Sequence, residues 1–222
     1  MKITDGIYQI PGMGMSNVYL LEYDDKLLVI DTGMPGRARK IVSYVESLGK
    51  APRSVEIIVL THPDLDHSGS AAQLKKLTGA RVAIHEEDAP RLAGEKPWSE
   101  AKGAAGFVIS VLGLFIKLQP VPPDMSLSEG EKLGPLTVLE TPGHTSGSIS
   151  LYKVGTALFS GDALLTNGRG FFQEPRMVNE ELGRESIRRM ATLQFEYLLP
   201  GHGTPVEGNA SEKLKDFVNR EL

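Results

Sequence analysis

The segment Thr61-His62-Pro63-Asp64-Leu65-Asp66-His67-Ser68-Gly69 places two imidazoles and two carboxylates within six residues, directly after the apolar, β-branched run Val55-Glu56-Ile57-Ile58-Val59-Leu60. A strand that runs out into such a cluster aims several metal-ligand side chains at one small volume. Charged groups held that close repel or desolvate one another unless something neutralises them, and a divalent cation does so. The fold must therefore present strand ends at an edge where further ligands can gather.

The rest of the chain narrows what can meet that cluster. There is no cysteine, which excludes disulfides, thiolate zinc sites, iron–sulfur clusters and cysteine nucleophiles. Any metal is held by nitrogen and oxygen. A net charge of -4 argues against a nucleic-acid partner gripped through its phosphates. The opening residues Met1-Lys2-Ile3-Thr4-Asp5-Gly6 lack the apolar stretch of a signal peptide, so a cytoplasmic protein is expected. The longest apolar segment, residues 106–118, is too short to span a bilayer, and no membrane partner is expected.

Length and pattern predict one α/β domain over the 222 residues. Strands are expected at 7–10, 18–22 and 27–30, with Asp24-Asp25 as the turn between the last two. Ile41, Val42, Val45 and Leu48 recur at helical spacing and predict a helix over 37–48. A strand at 57–60, the cluster, a helix at 70–77 and a strand at 80–84 complete the first half. The second half repeats the pattern with strands at 136–140, 149–154, 157–160 and 197–199 and helices at 180–193 and 211–222. Two similar halves packed sheet to sheet follow from that repetition. Between them, residues 86–125 read as a helical insertion whose apolar patch Phe107–Ile116 either covers the core, forms a homodimer contact through 106–118, or is itself a buried core helix.

Three further ligand candidates sit where strands give way to loops: His144 in Pro142-Gly143-His144, Asp162 in Ser160-Gly161-Asp162, and His202 in Pro200-Gly201-His202. Each has a glycine before it, which lets the backbone turn sharply. Four of the five histidines, His62, His67, His144 and His202, thus fall where strands run out into loops. The fifth, His85, closes a strand and is read as a cap or surface residue. The acids after it, Glu86, Glu87 and Asp88, are expected to begin a helix, whose dipole favours negative charge.

Taken in order, Val29-Ile30-Asp31-Thr32-Gly33, the cluster and the three later loops resemble the metallo-β-lactamase superfamily across nearly the whole chain. The resemblance implies a four-layer αββα sandwich with a one- or two-metal site at one edge. It implies that His62, Asp64 and His144 hold a first metal, that Asp66, His67 and His202 hold a second, and that Asp162 bridges them. Asp66 and Asp31 are the expected catalytic carboxylates, with Asp31 orienting a ligand or the cluster backbone. Asp31 also reads as a plain turn residue before Gly33, and Asp64 as a helix cap.

Asp64 departs from the usual His-x-His-x-Asp-His pattern of the hydrolytic members. A carboxylate there weakens the Lewis acidity of the centre and suits a harder metal. Two divalent ions are expected, zinc first, with iron or manganese admitted by Asp64. The implied function is hydrolysis of a small ester, thioester or lactone by a metal-bound hydroxide. The alternative is a diiron redox domain, similar to that of flavodiiron proteins, served by a separate electron donor. Substrate contact is expected from the loop after Asp162, through Asn167, Arg169 and Phe171. Phe172 of that loop, Trp98 and the patch near Leu114 are either pocket roof or packing.

Overall fold

The computed structural model describes residues 1–97, 119–167, 170–175 and 177–222. Trp98, Arg169 and the patch at 107–116, with the dimer contact assigned to 106–118, lie outside the described residues. The chain divides into two compact units, Met1–Ser126 and Leu127–Leu222.

The first unit is built on the sheet β1 (Lys2–Thr4), β2 (Ile7–Gln9), β3 (Tyr19–Tyr23), β4 (Lys26–Ile30), β5 (Val55–Val59), β6 (Arg81–His85) and β7 (Met125–Leu127), in chain order. β3 and β4 form the expected hairpin, and Asp24 and Asp25 turn it with φ of 43° and 60°. Positive φ at both central residues gives the twist that joins antiparallel strands tightly, and aspartate tolerates it better than most residues. β4, β5 and β6 then run parallel. Buried on both faces, they read as nearly continuous apolar runs rather than alternating ones.

Parallel neighbours need crossovers, and helices α1 (Ala38–Ser47) and α3 (Ala71–Thr78) supply them, with the short α2 (Leu65–Ser68) between. Ala38, Ile41 and Val45 form the buried stripe of α1, and Ala71, Leu74 and Thr78 that of α3. These stripes pack on Leu27, Val29, Ile58, Leu60, Val82 and Ile84. Because β4, β5 and β6 point the same way, their carboxyl ends bring Asp31, His62 and His85 to one rim.

The second unit holds a sheet ordered β15 (Val206–Glu207), β14 (Tyr197–Pro200), β11 (Ala157–Gly161), β10 (Ile149–Lys153), β9 (Leu136–Glu140), β8 (Lys132–Leu133). All of its pairs are antiparallel except β11 and β14. Helices α5 (Glu180–Met190) and α6 (Ala210–Glu221) close its core through Ile187, Met190, Ala210 and Leu214 against Leu139, Leu158, Leu164, Phe195 and Leu198. The side chain of Asn179 accepts from Leu182 N at 3.2 Å and caps α5. Glu180 and Glu181 in the first turn and Arg188 and Arg189 in the last complement its dipole.

Local structure departs from the sequence reading in a few places. α5 ends at Met190 rather than 193. β12 (Leu165–Asn167) pairs antiparallel with β13 (Gly170–Phe172), where only a loop was expected. Of the segment 86–125, the described ends carry α4 (Ala89–Leu92) and the start of β7. Asp88 precedes α4 as expected, but its buried carboxylate meets Arg91 Nη1 at 2.5 Å instead of capping the backbone.

Candidate metal centre

In the first unit a single residue, Leu60, separates the end of β5 from the segment that begins at Thr61. Asp64 occupies the N-cap position of α2, and its carbonyl accepts from His67 N at 2.9 Å and Ser68 N at 2.8 Å. Its carboxylate makes no capping bond. Instead Oδ2 stands 3.9 Å from His62 Nε2, with the side chain 28% exposed. The carboxylate is therefore turned toward His62 rather than used as a helix cap. Asp66 Oδ2 stands 3.8 Å from His67 Nε2. The His62 and His67 rings lie 4.1 Å apart between centroids and are both buried.

Asp31, just past β4, sits beneath these groups with φ of 60° and is 2% exposed. Its Oδ1 accepts from Thr61 N at 2.8 Å, and its Oδ2 meets His67 Nδ1 at 2.9 Å. Asp31 thus touches both the cluster backbone and a histidine of the cluster, beyond what a plain turn residue would do. When the carboxylate accepts Nδ1–H of a neutral ring, the lone pair is left on Nε2, the atom that faces Asp66.

Other contacts hold α2 from outside. Thr32 N and Thr32 Oγ1 both donate to His67 O, at 2.6 and 2.8 Å, and Ser70 N donates to Thr32 Oγ1. The Ser16 hydroxyl donates to Asp66 O. Ser68 ends α2, and its Oγ donates to Pro63 O at 2.7 Å. At Gly69 a Cβ would fall 2.3 Å from Leu65 O and 2.5 Å from Pro35 Cδ, so this position admits no side chain. Thr61, Thr32 and Ser16 were missed as supporting residues. Adjacency to Asp31 and His62 was the only signal for the first two, and Ser16 carried none.

In the second unit, Asp162 follows β11 and His202 follows the parallel strand β14, with Gly201 N donating to Gly161 O at 2.8 Å between them. Asp162 Oδ2 lies 3.3 Å from His202 Nε2 and 3.9 Å from His144 Nε2. Gly143 and Gly161 take φ of 143° and 51°, as the sharp turns require, whereas Gly201 does not enter the positive region. A Cβ on Gly143 would fall 2.5 Å from Gly183 Cα, so the His144 loop and α5 pack backbone to backbone.

Each unit thus gathers imidazole nitrogen and carboxylate oxygen at 3.3–3.9 Å, the spacing of groups that could share an ion. With neither cysteine nor an amine in the set, these donors fit a borderline or hard divalent cation.

The remaining candidates behave differently. His85 is buried rather than on the surface, and its Nδ1 accepts from Glu87 N at 3.3 Å, a local capping role. Asn167 is exposed at the end of β12. The Phe171 ring packs 5.8 Å from that of Phe217 on α6 and lines a cavity of 660 Å³ with Phe172, Lys213 and Arg220. None of the helices in the described residues is long and apolar enough to cross a membrane.

Residues 11–202 match the metallo-beta-lactamase superfamily, and the chain belongs to it. A relative in Bacillus subtilis, named "Probable metallo-hydrolase YflN", is 29% identical over 93% of this chain and 88% of its own. The hydroxyacylglutathione hydrolase of Cereibacter sphaeroides is 33% identical over 65% of this chain and 47% of its own. Among solved structures, a metallo-beta-lactamase family protein from Thermus thermophilus superposes with a TM-score of 0.71, at 24% identity, over 98% of this chain and 80% of that one. The mixed α/β fold implied by the motifs is the fold found, and the chain is a hydrolase of the metal-dependent class.

Proposed function

We propose that the chain hydrolyses a small ester, thioester or lactone, with His62, Asp64 and His144 holding one divalent cation, Asp66, His67 and His202 a second, and Asp162 shared between them. The observation that carries this reading is the pairing of His62 with Asp64, His67 with Asp66, and both His144 and His202 with Asp162. Cations held there supply Lewis acidity that acidifies a water and polarises a carbonyl. The chain's own part is to keep the ligand nitrogens unprotonated and aimed. Asp31 does this for His67 directly, and the Thr32 and Ser16 contacts fix the backbone that carries the ligands.

Zinc is the first candidate metal, with iron or manganese favoured by the Asp64 carboxylate. The β12–β13 pair, which bears Asn167 and Phe171, would contact the substrate. The name of the hydroxyacylglutathione hydrolase places acyl-group hydrolysis among the relatives' activities and supports an acyl substrate here.

A hydrolysis screen over thioesters, lactones, phosphodiesters and β-lactams, after loading with zinc, manganese or iron, tests the proposal. Turnover of an acyl substrate that is lost in Asp162→Ala supports it. Activity confined to phosphodiesters or β-lactams overturns the substrate class. Oxygen uptake with a reduced flavoprotein and bound iron would favour the diiron reading, to which the Asp64 carboxylate also points.

A further inference from the structure

Asp31 reaches His67 directly, but it also reaches the other buried histidine of the cluster by a second route. Thr61 Oγ1 lies 2.9 Å from Asp31 Oδ2, 3.1 Å from Asp31 Oδ1 and 3.0 Å from His62 Nδ1. Thr61, His62 and Asp31 are all within 2% of complete burial, so water does not compete for these bonds. A hydroxyl has one hydrogen, and a carboxylate can only accept. If the hydroxyl turned to His62, its lone pairs would face the Asp31 oxygens at hydrogen-bond distance, an arrangement that is repulsive on both counts. The hydrogen therefore goes to Asp31, and Thr61 Oγ1 can only accept from His62.

We infer that Thr61 is a positioning residue, a hydroxyl relay through which Asp31 sets the tautomer of His62, holding the proton on Nδ1 and the lone pair on Nε2. One carboxylate then orders two histidines, His67 by contact and His62 through one intervening hydroxyl. His62 Nε2 is the atom 3.9 Å from Asp64, so the relay delivers the lone pair to the ligand side of the ring. Thr61 N donating to Asp31 Oδ1 at 2.8 Å locks the relay residue in place from its backbone. The inference extends the metal-site reading but concerns the protein's own protons, so it can be examined before any metal is added.

The experiment is nitrogen-15 NMR of the imidazole rings in the metal-free full-length chain, for the wild type, Thr61→Val and Thr61→Ser. In the wild type His62 and His67 should both show a protonated Nδ1 and an unprotonated Nε2. Thr61→Val keeps the branching but removes the hydroxyl, and should move His62 to a tautomer mixture or to Nε2–H while His67 keeps its pattern. Thr61→Ser should restore His62. Chelator competition should then show roughly 10–100-fold weaker binding of one metal equivalent in Thr61→Val.

A wild-type His62 carrying its proton on Nε2, or an unchanged His62 in Thr61→Val, overturns the relay. So does a failure of serine to restore the pattern. The wild-type spectrum decides the matter even if the valine variant does not fold. Tautomers as expected with no metal bound would leave the relay standing and remove the metal-site reading instead.

Discussion

Asp31 and His67 are 36 positions apart in the chain, yet Oδ2 of one lies 2.9 Å from Nδ1 of the other. The contact exists because β4 and β5 are parallel neighbours whose carboxyl ends open on the same rim. Replacing Asp31 with Ala removes the acceptor for three donors, Thr61 N, Thr61 Oγ1 and His67 Nδ1. Metal affinity, read by chelator competition, should fall about 10–100-fold, and leaving those buried donors unsatisfied should cost on the order of 1–3 kcal/mol in chemical denaturation. Unchanged affinity would count against an orienting role.

The carboxylate at position 64 is expected to govern metal choice. Protein purified without added metal should hold more iron or manganese, relative to zinc, than its Asp64→His variant, because an imidazole in place of an oxygen donor favours zinc. Elemental analysis of both proteins checks this. The same ratio in the two would remove the proposed effect.

Gly203 takes φ of 95°, and a Cβ there would fall 1.8 Å from Thr166 O. Gly203→Ala should therefore lower the melting temperature sharply, since backbone strain alone costs on the order of 1–3 kcal/mol and the clash falls on backbone that cannot swing aside. Gly208 is the control. Its φ is 70° but nothing lies within 4 Å of a Cβ, so Gly208→Ala should cost only about 1 kcal/mol. Equal melting temperatures for the two variants would refute the packing argument.

Asp124 ties α3 to β6 by accepting from Lys75 Nζ at 2.7 Å and Val82 N at 2.8 Å. Burial works against its ionised form, but the hydrogen bonds from Lys75 and Val82 and the positive charge of Lys75 outweigh it, and the carboxyl is held below its ordinary value of 3.8. On acidification the unfolded chain takes up this proton before the folded one does. The contribution is therefore whole above about pH 4 and is lost as pH falls through the depressed folded value. The pair is a third exposed, so screening limits the effect to about 1 kcal/mol or less. Denaturation of wild type and Asp124→Asn should differ at pH 6 and converge near pH 2, and a constant gap would refute the linkage.

The sequence made the candidate ligand residues legible because their grammar is local: an apolar strand, a turn, and an imidazole or carboxylate. The Asp24-Asp25 turn and the stripe Ile41, Val45 were legible for the same reason. What it hid was spatial. Thr61 and Ser16 look like ordinary hydroxyl residues until strand pairing carries Asp31 to the first and a loop carries Asp66 O to the second. His85 does cap locally, as one of its two readings had it, but it is buried rather than on the surface because the strand it closes is interior on both sides. The pairing of β12 with β13 was hidden because each strand is only three residues long.

The left-handed backbone of Asp31 limits what could ever replace it. Asparagine or glycine would accept φ of 60° without protest but would bring no negative charge. Glutamate would bring the charge but sit uneasily in that conformation and overshoot by a methylene. No other coded amino acid satisfies both demands, so any substitution here trades backbone strain against loss of the charge that faces His67.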